Sequence, residues 1–423
     1  MKNQILLLFT VVFVHQIYAQ NTVEITPKNP DAKRVITTGL PFVLIAADAR
    51  AASMGDMGVA TGVDAFSQQW NPSKYAFSET KQGIGVSYTP YLSSLVNDIF
   101  LGNVTYFNRI DERSAFAASF KYFSLGEIEL VQDQFSQALI EQPNEMSIDA
   151  SYSLKLSQEF AMSVAMRYMR SDLKIGAIDA DAEAASTFGV DVSGYYQSEE
   201  QAYAGFNGRT RLGFAIQNIG PKFKYDDGGE ENFQPTTLRL GGGFDFILDD
   251  FNKVSITGEV TKLLVPTPPV LGERLEYENN DGVAGYQPAA DPNNPMPGED
   301  VFVSKDDKYI VEGKDRNVGF FKGMFQSFGD APDGFSEELQ EWTWALGAEY
   351  MYQDSFAFRG GYFHESSSKG ARQFFAIGAG FKYNVIGIDL SYLFSASKVK
   401  SPLENTLRFS LTFNLGPGTY REY

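Results

Sequence analysis

From about Gly83 to Leu415 the chain alternates apolar residues with small or polar ones, in segments of about ten residues separated by turn residues. The last segment is the cleanest. Leu407, Phe409, Leu411, Phe413 and Leu415 share one side, and Arg408, Ser410, Thr412 and Asn414 share the other. Ile386, Ile388, Leu390, Tyr392 and Phe394 oppose Asp389 and Ser391 in the same way. So do Trp342, Trp344, Leu346, Ala348 and Tyr350 against Thr343, Gly347 and Glu349, and Leu238, Leu240, Phe244 and Phe246 against Arg239 and Asp245. Strict alternation predicts strands with two different environments. The strands are placed at 83–90, 98–108, 114–127, 145–157, 160–172, 185–198, 208–219, 236–248, 253–265, 341–352, 355–365, 373–383, 386–397 and 405–415.

A soluble sandwich would alternate too, with its apolar side on a core. Three features point instead to a transmembrane antiparallel β-barrel of about fourteen strands. The segments have the length of a tilted crossing, about ten residues. Aromatics such as Tyr350, Tyr352, Tyr383 and Phe394 gather near strand ends, where headgroups lie. The polar side carries Gly, Ser, Thr and single charges, which a wet or filled lumen accepts. Connection lengths agree. Short turns such as 111–113, 157–159, 249–252, 353–354 and 384–385 alternate with longer connections at 128–144, 173–184, 220–235, 266–340, 366–372 and 398–404. The stretch 199–207 is the longest turn on the short side. No later window is apolar for long enough to span as a helix, and only helices and closed barrels satisfy every backbone group in lipid.

The longest connection, 266–340, does not alternate. It holds 8 of the 18 prolines and 15 acidic against 6 basic residues, a net of −9. Such a stretch reads as a solvated loop. Within it Phe320, Phe321, Met324, Phe325 and Phe328 fall on one face at helical spacing. A short amphipathic helix outside a barrel needs cover for that face: the mouth, the lipid surface or a partner protein. These five residues are the candidate contact loop for a partner or cargo, or a lid.

The N-terminus predicts export. Lys2 precedes the apolar run Ile5–Val14, and Ala19 supplies the small residue before a cut that makes 1–19 a signal peptide. The run is too short for a membrane helix, which needs ~20 apolar residues. The expected organisation is a signal peptide, an N-terminal arm and plug (hatch) over 20–80 whose composition also allows a loose periplasmic arm, a barrel over 81–415 and an extension over 416–423. Residues 36–80 are rich in Gly and Ala, which permit tight turns and close packing.

Composition narrows the chemistry. The formal net charge of −18 argues against nucleic acid, whose phosphates need basic contacts. The 35 Phe, 22 Tyr and 39 Gly suit strands and aromatic girdles. With no Cys, disulfides, thiolate metal sites and thiol nucleophiles are excluded. Only His15 and His364 exist, too few for a multi-histidine metal site. His364-Glu365 lacks the second His of a zinc-protease helix, and Gly83-Ile84-Gly85 starts a strand with no helix after it. Asp179, Asp181 and Glu183 have the spacing of the first ligands of a calcium loop, but Ala184 stands where the Gly is needed. No catalytic, cofactor or metal site is expected. The inward charges Arg167, Arg211, Arg239, Asp245, Glu259 and Glu349 are expected to pair with one another or with the plug.

The stretch from Pro41 to Tyr75 carries a longer pattern: Pro41, Phe42, Ile45, Asp48, Ala49, Arg50, Met54, Gly55, Asp56, Gly58, Val59, Asp64, Ala65, Trp70, Asn71, Pro72, Lys74 and Tyr75. It resembles the hatch of the PorV family, outer-membrane proteins of the type IX secretion system, which is itself similar to the wider FadL-type barrels. The strand end Leu212–Pro221 resembles these barrels too. The resemblance implies a fourteen-stranded barrel with a plug, for which Asp48, Arg50, Met54, Asp56, Trp70, Asn71 and Pro72 are the candidate residues. It implies a non-enzymatic role in the outer membrane, in contact with its lipid. The implied partners are the large type IX translocon barrel, the C-terminal signal domains of cargo proteins and the surface attachment complex. The chain departs from common barrels in running on past Leu415. The alternative reading is a FadL-like transporter of hydrophobic small molecules. A general porin is disfavoured because a plug would block diffusion.

Overall fold

The computed structural model describes residues 23–27, 33–93, 96, 98–130, 139–173, 184–225, 229–278, 289, 296, 299, 301–397 and 403–416. The expected signal peptide, the triplet Asp179, Asp181 and Glu183, and the residues after Gly416 lie outside them. The chain divides into two units. The larger, residues 33–268 and 314–423, is built on fourteen strands: β1 Gln82–Pro90, β2 Ile99–Arg109, β3 Ser114–Leu125, β4 Asn144–Lys155, β5 Phe160–Asp172, β6 Ala185–Gln197, β7 Phe206–Ile219, β8 Thr237–Ile247, β9 Asn252–Leu263, β10 Trp342–Tyr352, β11 Phe356–His364, β12 Gln373–Tyr383, β13 Ile386–Ser395 and β14 Leu407–Leu415. Each pairs antiparallel with the next, and β14 pairs back on β1, with Val86 opposite Leu411. The sheet is therefore a closed ring, without the free edge that lipid cannot tolerate. No helix among the described residues is long and apolar enough to cross a membrane.

The period-two pattern is the inside and outside of this ring. On β5, Val164 and Met166 are 57% and 61% exposed, while Ser163, Ala165 and Arg167, which alternate with them, are buried. The same split puts Leu407 and Phe409 outside and Arg408 and Ser410 inside. The exposed leucines, valines and phenylalanines are what a lipid-facing wall presents.

The short turns are held by local chemistry. Asp111 Oδ1 accepts from the amides of Arg113 (2.8 Å) and Ser114 (2.7 Å) between β2 and β3, and Asp249 Oδ1 repeats this with Phe251 and Asn252 (2.8 Å each) between β8 and β9. A carboxylate bonding its own chain two or three residues on is a standard way to reverse direction. Between β10 and β11, Gln353 and Asp354 both take positive φ (53° and 50°), the type I′ geometry that matches strand twist.

The long connection departs from expectation. The stretch 266–340 reads as free of strands, yet Val270–Glu278 pairs with Val301–Glu312, and Val23–Pro27 pairs with the first of these. These three strands form the smaller unit's own sheet. Their sequences hide it. The hairpin register shifts at three places, and charged residues such as Glu273, Arg274, Asp306 and Asp307 break any alternation. In the larger unit, Gln201–Tyr203 likewise extends a hairpin with β7 where the sequence reads as a long turn.

The outward position Ile377, near the centre of β12 and 53% exposed, tests which face meets lipid. Ile377→Arg is expected to lower unfolding free energy by ~2–4 kcal/mol in urea titrations of the protein folded into vesicles, with Ile377→Val near neutral. An equally small effect of both substitutions would show that this face does not sit in hydrocarbon.

Candidate functional site

The inner wall of the ring is polar and charged, and it is matched by the segment that precedes β1. Pro41 opens a short 3-10 turn, Pro41–Leu44, and two short helices follow, α1 Ala49–Ser53 and α2 Ser67–Trp70. Asp48 starts α1. Its Oδ2 accepts from the Ala51 amide (2.7 Å), and its Oδ1 accepts from Trp70 Nε1 (2.9 Å), so one carboxylate caps the first helix and ties it to the second. Asn71 Oδ1 accepts from the Ser73 amide (3.2 Å), while Asn71 Nδ2 donates to Val59 O and to Gly194 O on β6, both at 2.9 Å. Pro72 O accepts from Ser153 Oγ of β4 (2.7 Å). Met54 and Trp70 are buried.

Ion pairs fix the segment's azimuth. Arg50 makes a two-pronged bond to Glu349 of β10 (Nε–Oε2 3.0 Å, Nη2–Oε1 2.9 Å) and a third to Asp64 (2.7 Å). Glu349 also holds Arg359 of β11, whose other arm reaches Asp389 of β13 (2.6 Å). Arg408 of β14 reaches Asp56 (2.9 Å). Glu259 of β9 accepts from the amides of Gly58 and Val59 (2.9 Å each) and from Arg239 (2.9 Å). Arg239 in turn lies over the Trp70 ring at 5.0 Å. Further bonds arrive from Thr89 of β1, Lys121 of β3, and Gln217 and Arg211 of β7. Arg211 also pairs with Asp245 (2.7 Å). Arg167 pairs with Asp149 and Asp191 beside a bulge in β7, which turns Asn218 (φ 59°) toward it.

Close approach is built into the wall. A Cβ on Gly361 would stand 2.1 Å from the Met54 carbonyl carbon, and one on Gly213 would stand 2.1 Å from Val59 O, so only glycine fits where the segment's backbone touches those strands. Above and below this polar middle are two apolar clusters. Leu40, Phe42, Val43, Leu101, Phe123 and Met169 gather at the long-loop end, and Tyr75, Phe107, Ala115 and Ala117 at the short-turn end.

The seven segment residues singled out from the sequence, Asp48, Arg50, Met54, Asp56, Trp70, Asn71 and Pro72, therefore all face partners on this wall or on one another. Lys74, part of the longer sequence pattern but outside the seven, is buried on Gly58 O (2.8 Å), and sequence reasoning missed the wall hydroxyl of Ser410, which accepts from the Ala49 amide (2.8 Å). The alternation marks Ser410 as inward, but nothing in the sequence names its partner.

The candidate contact residues lie elsewhere. They fall on helix α3, Phe320–Gln326, and just after it. The helix forms as its spacing predicts, but its buried face is Gly323 and Ser327, with Gly323 against Phe233 and Pro266. Phe321, Phe325 and Phe328 are 60%, 77% and 49% exposed, while Phe320 and Met324 are half-buried. Phe335 and Leu339 of helix α4, Phe335–Gln340, extend the exposed apolar surface. Their spacing of four was the overlooked signal.

Under α4 lies a buried charge network. Lys262 shares the parity of the outward residues Ile256, Gly258 and Val260, yet it is fully buried, its ammonium on Glu338 (3.2 Å) and Glu341. Lys369 bonds Glu337 (2.6 Å) and Glu341 (3.0 Å). Asp330, Glu338 and Glu341 bring carboxylate oxygens within 4.8 Å of one another, a spacing that suits a cation, and the two lysines already supply positive charge there. Asp330 accepts from the Thr267 amide (3.1 Å) through one oxygen, and its other oxygen is buried without a hydrogen-bond partner. Burial, reinforced by Glu341 and Glu338, pushes the Asp330 carboxyl up to about 6. Burial also acts to raise Glu337, but hydrogen bonds from Arg34 and Lys369 outweigh it and hold that carboxyl down at about 2.

Comparison with known proteins bears on the whole arrangement. Residues 28–270 match the family model described as type IX secretion system protein PorV. No curated protein matches the chain. Among solved structures it is similar to the Ralstonia pickettii toluene transporter TbuX (12% identity, 89% of this chain and 100% of that one, TM-score 0.46). It is similar to the CymD monoaromatic hydrocarbon channel (13%, 88% and 98%, 0.45) and to a Pseudomonas aeruginosa FadL homologue (12%, 90% and 100%, 0.43).

Two outcomes test this chemistry. Glu349→Gln leaves Arg50 and Arg359 short of their shared carboxylate, and is expected to cost ~3–5 kcal/mol of stability in urea titrations. The loop base should respond to pH with a definite sign. Asp330 is raised on folding, so its contribution is complete below about pH 4 and is lost as pH rises through about 6. Glu337 is lowered, so its contribution is present above about 4.5 and is lost as pH falls toward 2. Hydrogen-exchange protection of Phe335–Gln340, corrected for intrinsic rate, is expected to fall between pH 4 and 6, and Asp330→Asn is expected to abolish that fall.

Proposed function

Because the chain belongs to the PorV family of type IX secretion system proteins, we propose that it shuttles secreted cargo between the type IX translocon barrel and the surface attachment complex, without catalysis. Its place in the outer membrane follows from that family and from the closed fourteen-stranded ring. In this reading the segment Leu40–Phe77 is a plug, and the chain reaches the membrane through a cleaved leader. Cargo is recognised by its C-terminal signal domain at the surface formed by Phe321, Phe325, Phe328 and their neighbours. The observation that carries the reading is the family match, which runs unbroken through the pre-barrel segment and strands β1 to β9.

The plug reading draws support from the bonds just described. A segment joined to β1, β3, β4, β6, β7, β9, β10 and β14 by buried polar contacts suits a filling held at many points. The contact reading rests on physics of exposure: five large apolar side chains in one twenty-residue stretch exceed what solvent favours leaving open, and aromatic clusters of this kind anchor partners.

Affinity purification of the tagged chain from solubilised outer membranes is expected to recover a very large outer-membrane barrel and surface attachment proteins. Replacing Phe321, Phe325 and Phe335 together by Ser is expected to reduce co-recovery of secreted cargo at least ~tenfold, in line with loss of interface hot spots. Recovery of a bound hydrophobic solute with no protein partner would instead support transport of small molecules.

A further inference from the structure

The segment inside the ring has two ends, and they are fastened differently. At the short-turn end it runs straight into β1, with Ser78 O held by Arg109 and Lys81 O accepting the Arg109 amide (2.8 Å). At the long-loop end the chain around and upstream of Leu40 is bonded to the connections. Leu40 N donates to Tyr225 Oη (3.0 Å), and Gly39 N donates to Phe233 O (2.9 Å), both in the β7–β8 connection. Arg316, just before α3, donates to Thr37 O (3.4 Å). Arg34 makes the strongest contact. Its guanidinium straddles both oxygens of Glu337 on α4 (2.9 and 3.0 Å) and also bonds Asp333, with only 11% of its side chain exposed. A planar fork on a carboxylate is the geometry that best resists both sliding and rotation. Glu337 is committed on its other side to Lys369 and to the Asp333 amide (2.9 Å), so the fork is seated on an element that is itself anchored.

We propose that residues 33–39 are a strap joining the external helices α3 and α4 to the segment in the ring, so that the two loosen together. The proposal rests on the plug reading of Leu40–Phe77. The exposed Phe325 and Phe335 then form the handle of the device, Arg34 on Glu337 its clasp, and Leu40–Ser53 the part that is released. A partner that draws α4 off its seat breaks the clasp and frees the upper end of the segment, while the lower end stays covalently tied to β1. Coupling of this kind is reciprocal: what loosens the segment must loosen α4 by the same factor.

Hydrogen exchange on the full chain in detergent or nanodiscs tests it, read separately over Leu40–Ser53 and Phe335–Gln340. In the wild-type chain both stretches are expected to be protected. Glu337→Gln, a change on the loop alone, is expected to speed exchange in Leu40–Ser53 at least tenfold, and Arg34→Ala is expected to speed it in both stretches. Arg34→Lys, which keeps the charge without the fork, should restore part of the protection. Phe325→Ser touches neither side of the clasp and should change neither. If Glu337→Gln loosens Phe335–Gln340 while Leu40–Ser53 stays protected, the strap is wrong and the plug reading survives. If Leu40–Ser53 exchanges freely in the wild-type chain, the plug reading fails and the strap with it. Should Arg34→Ala fold poorly, Asp333→Ala probes the same clasp from its other carboxylate, with the same expectation.

Discussion

A closed hydrogen-bonded ring constrains everything else in this chain. Within hydrocarbon each backbone amide and carbonyl needs a partner, and fourteen antiparallel strands supply one only by joining first to last. Closure then forces the side chains to divide by parity. Half of them meet lipid and must be apolar. The other half are enclosed, and here they are charged or hydroxylated far more often than a dry core allows. Arg50, Asp56, Asn71 and Trp70 are answers to that second condition: each meets an inward group that burial would otherwise leave unpaired.

The enclosed charges are better understood as registration than as a source of net stability. A buried ion pair roughly recovers its own desolvation, while loss of one member is severe. The chain Arg50–Glu349–Arg359–Asp389 links the segment to three strands, and Arg239–Glu259 adds another point on the ring. One rotation and one depth satisfy all of these at once. The apolar clusters at the two ends contribute in the ordinary way, by removing Phe42, Phe123, Tyr75 and Phe107 from water.

Most of the ring was legible in the sequence because a strand in a barrel has only two environments. The segment 386–397 appears as Ile386–Ser395, and 405–415 as Leu407–Leu415, differing only at ends where turn geometry decides. Which wall residues point inward was equally legible. Their partners were not: Arg50 and Glu349 lie 299 positions apart, and periodicity carries no such pairing. Lys262 shows where parity misleads. Its position is outward, and it stays buried because α4 covers that strand end with Glu338 and Glu341. The hairpin Val270–Glu278 with Val301–Glu312 was illegible for another reason. A shifting register and dense charge erase the alternation on which strand reading depends.

The glycines of the inner wall carry a consequence of their own. Gly361 and Gly213 leave grooves shaped to the backbone of Met54 and Val59, so the wall is moulded to the segment that touches it. Were that segment withdrawn, the grooves and the charges left beside them would take up water. On the plug reading proposed above, a ring without that segment would present a wet, charged interior, favourable to salt and hostile to oil-like solutes.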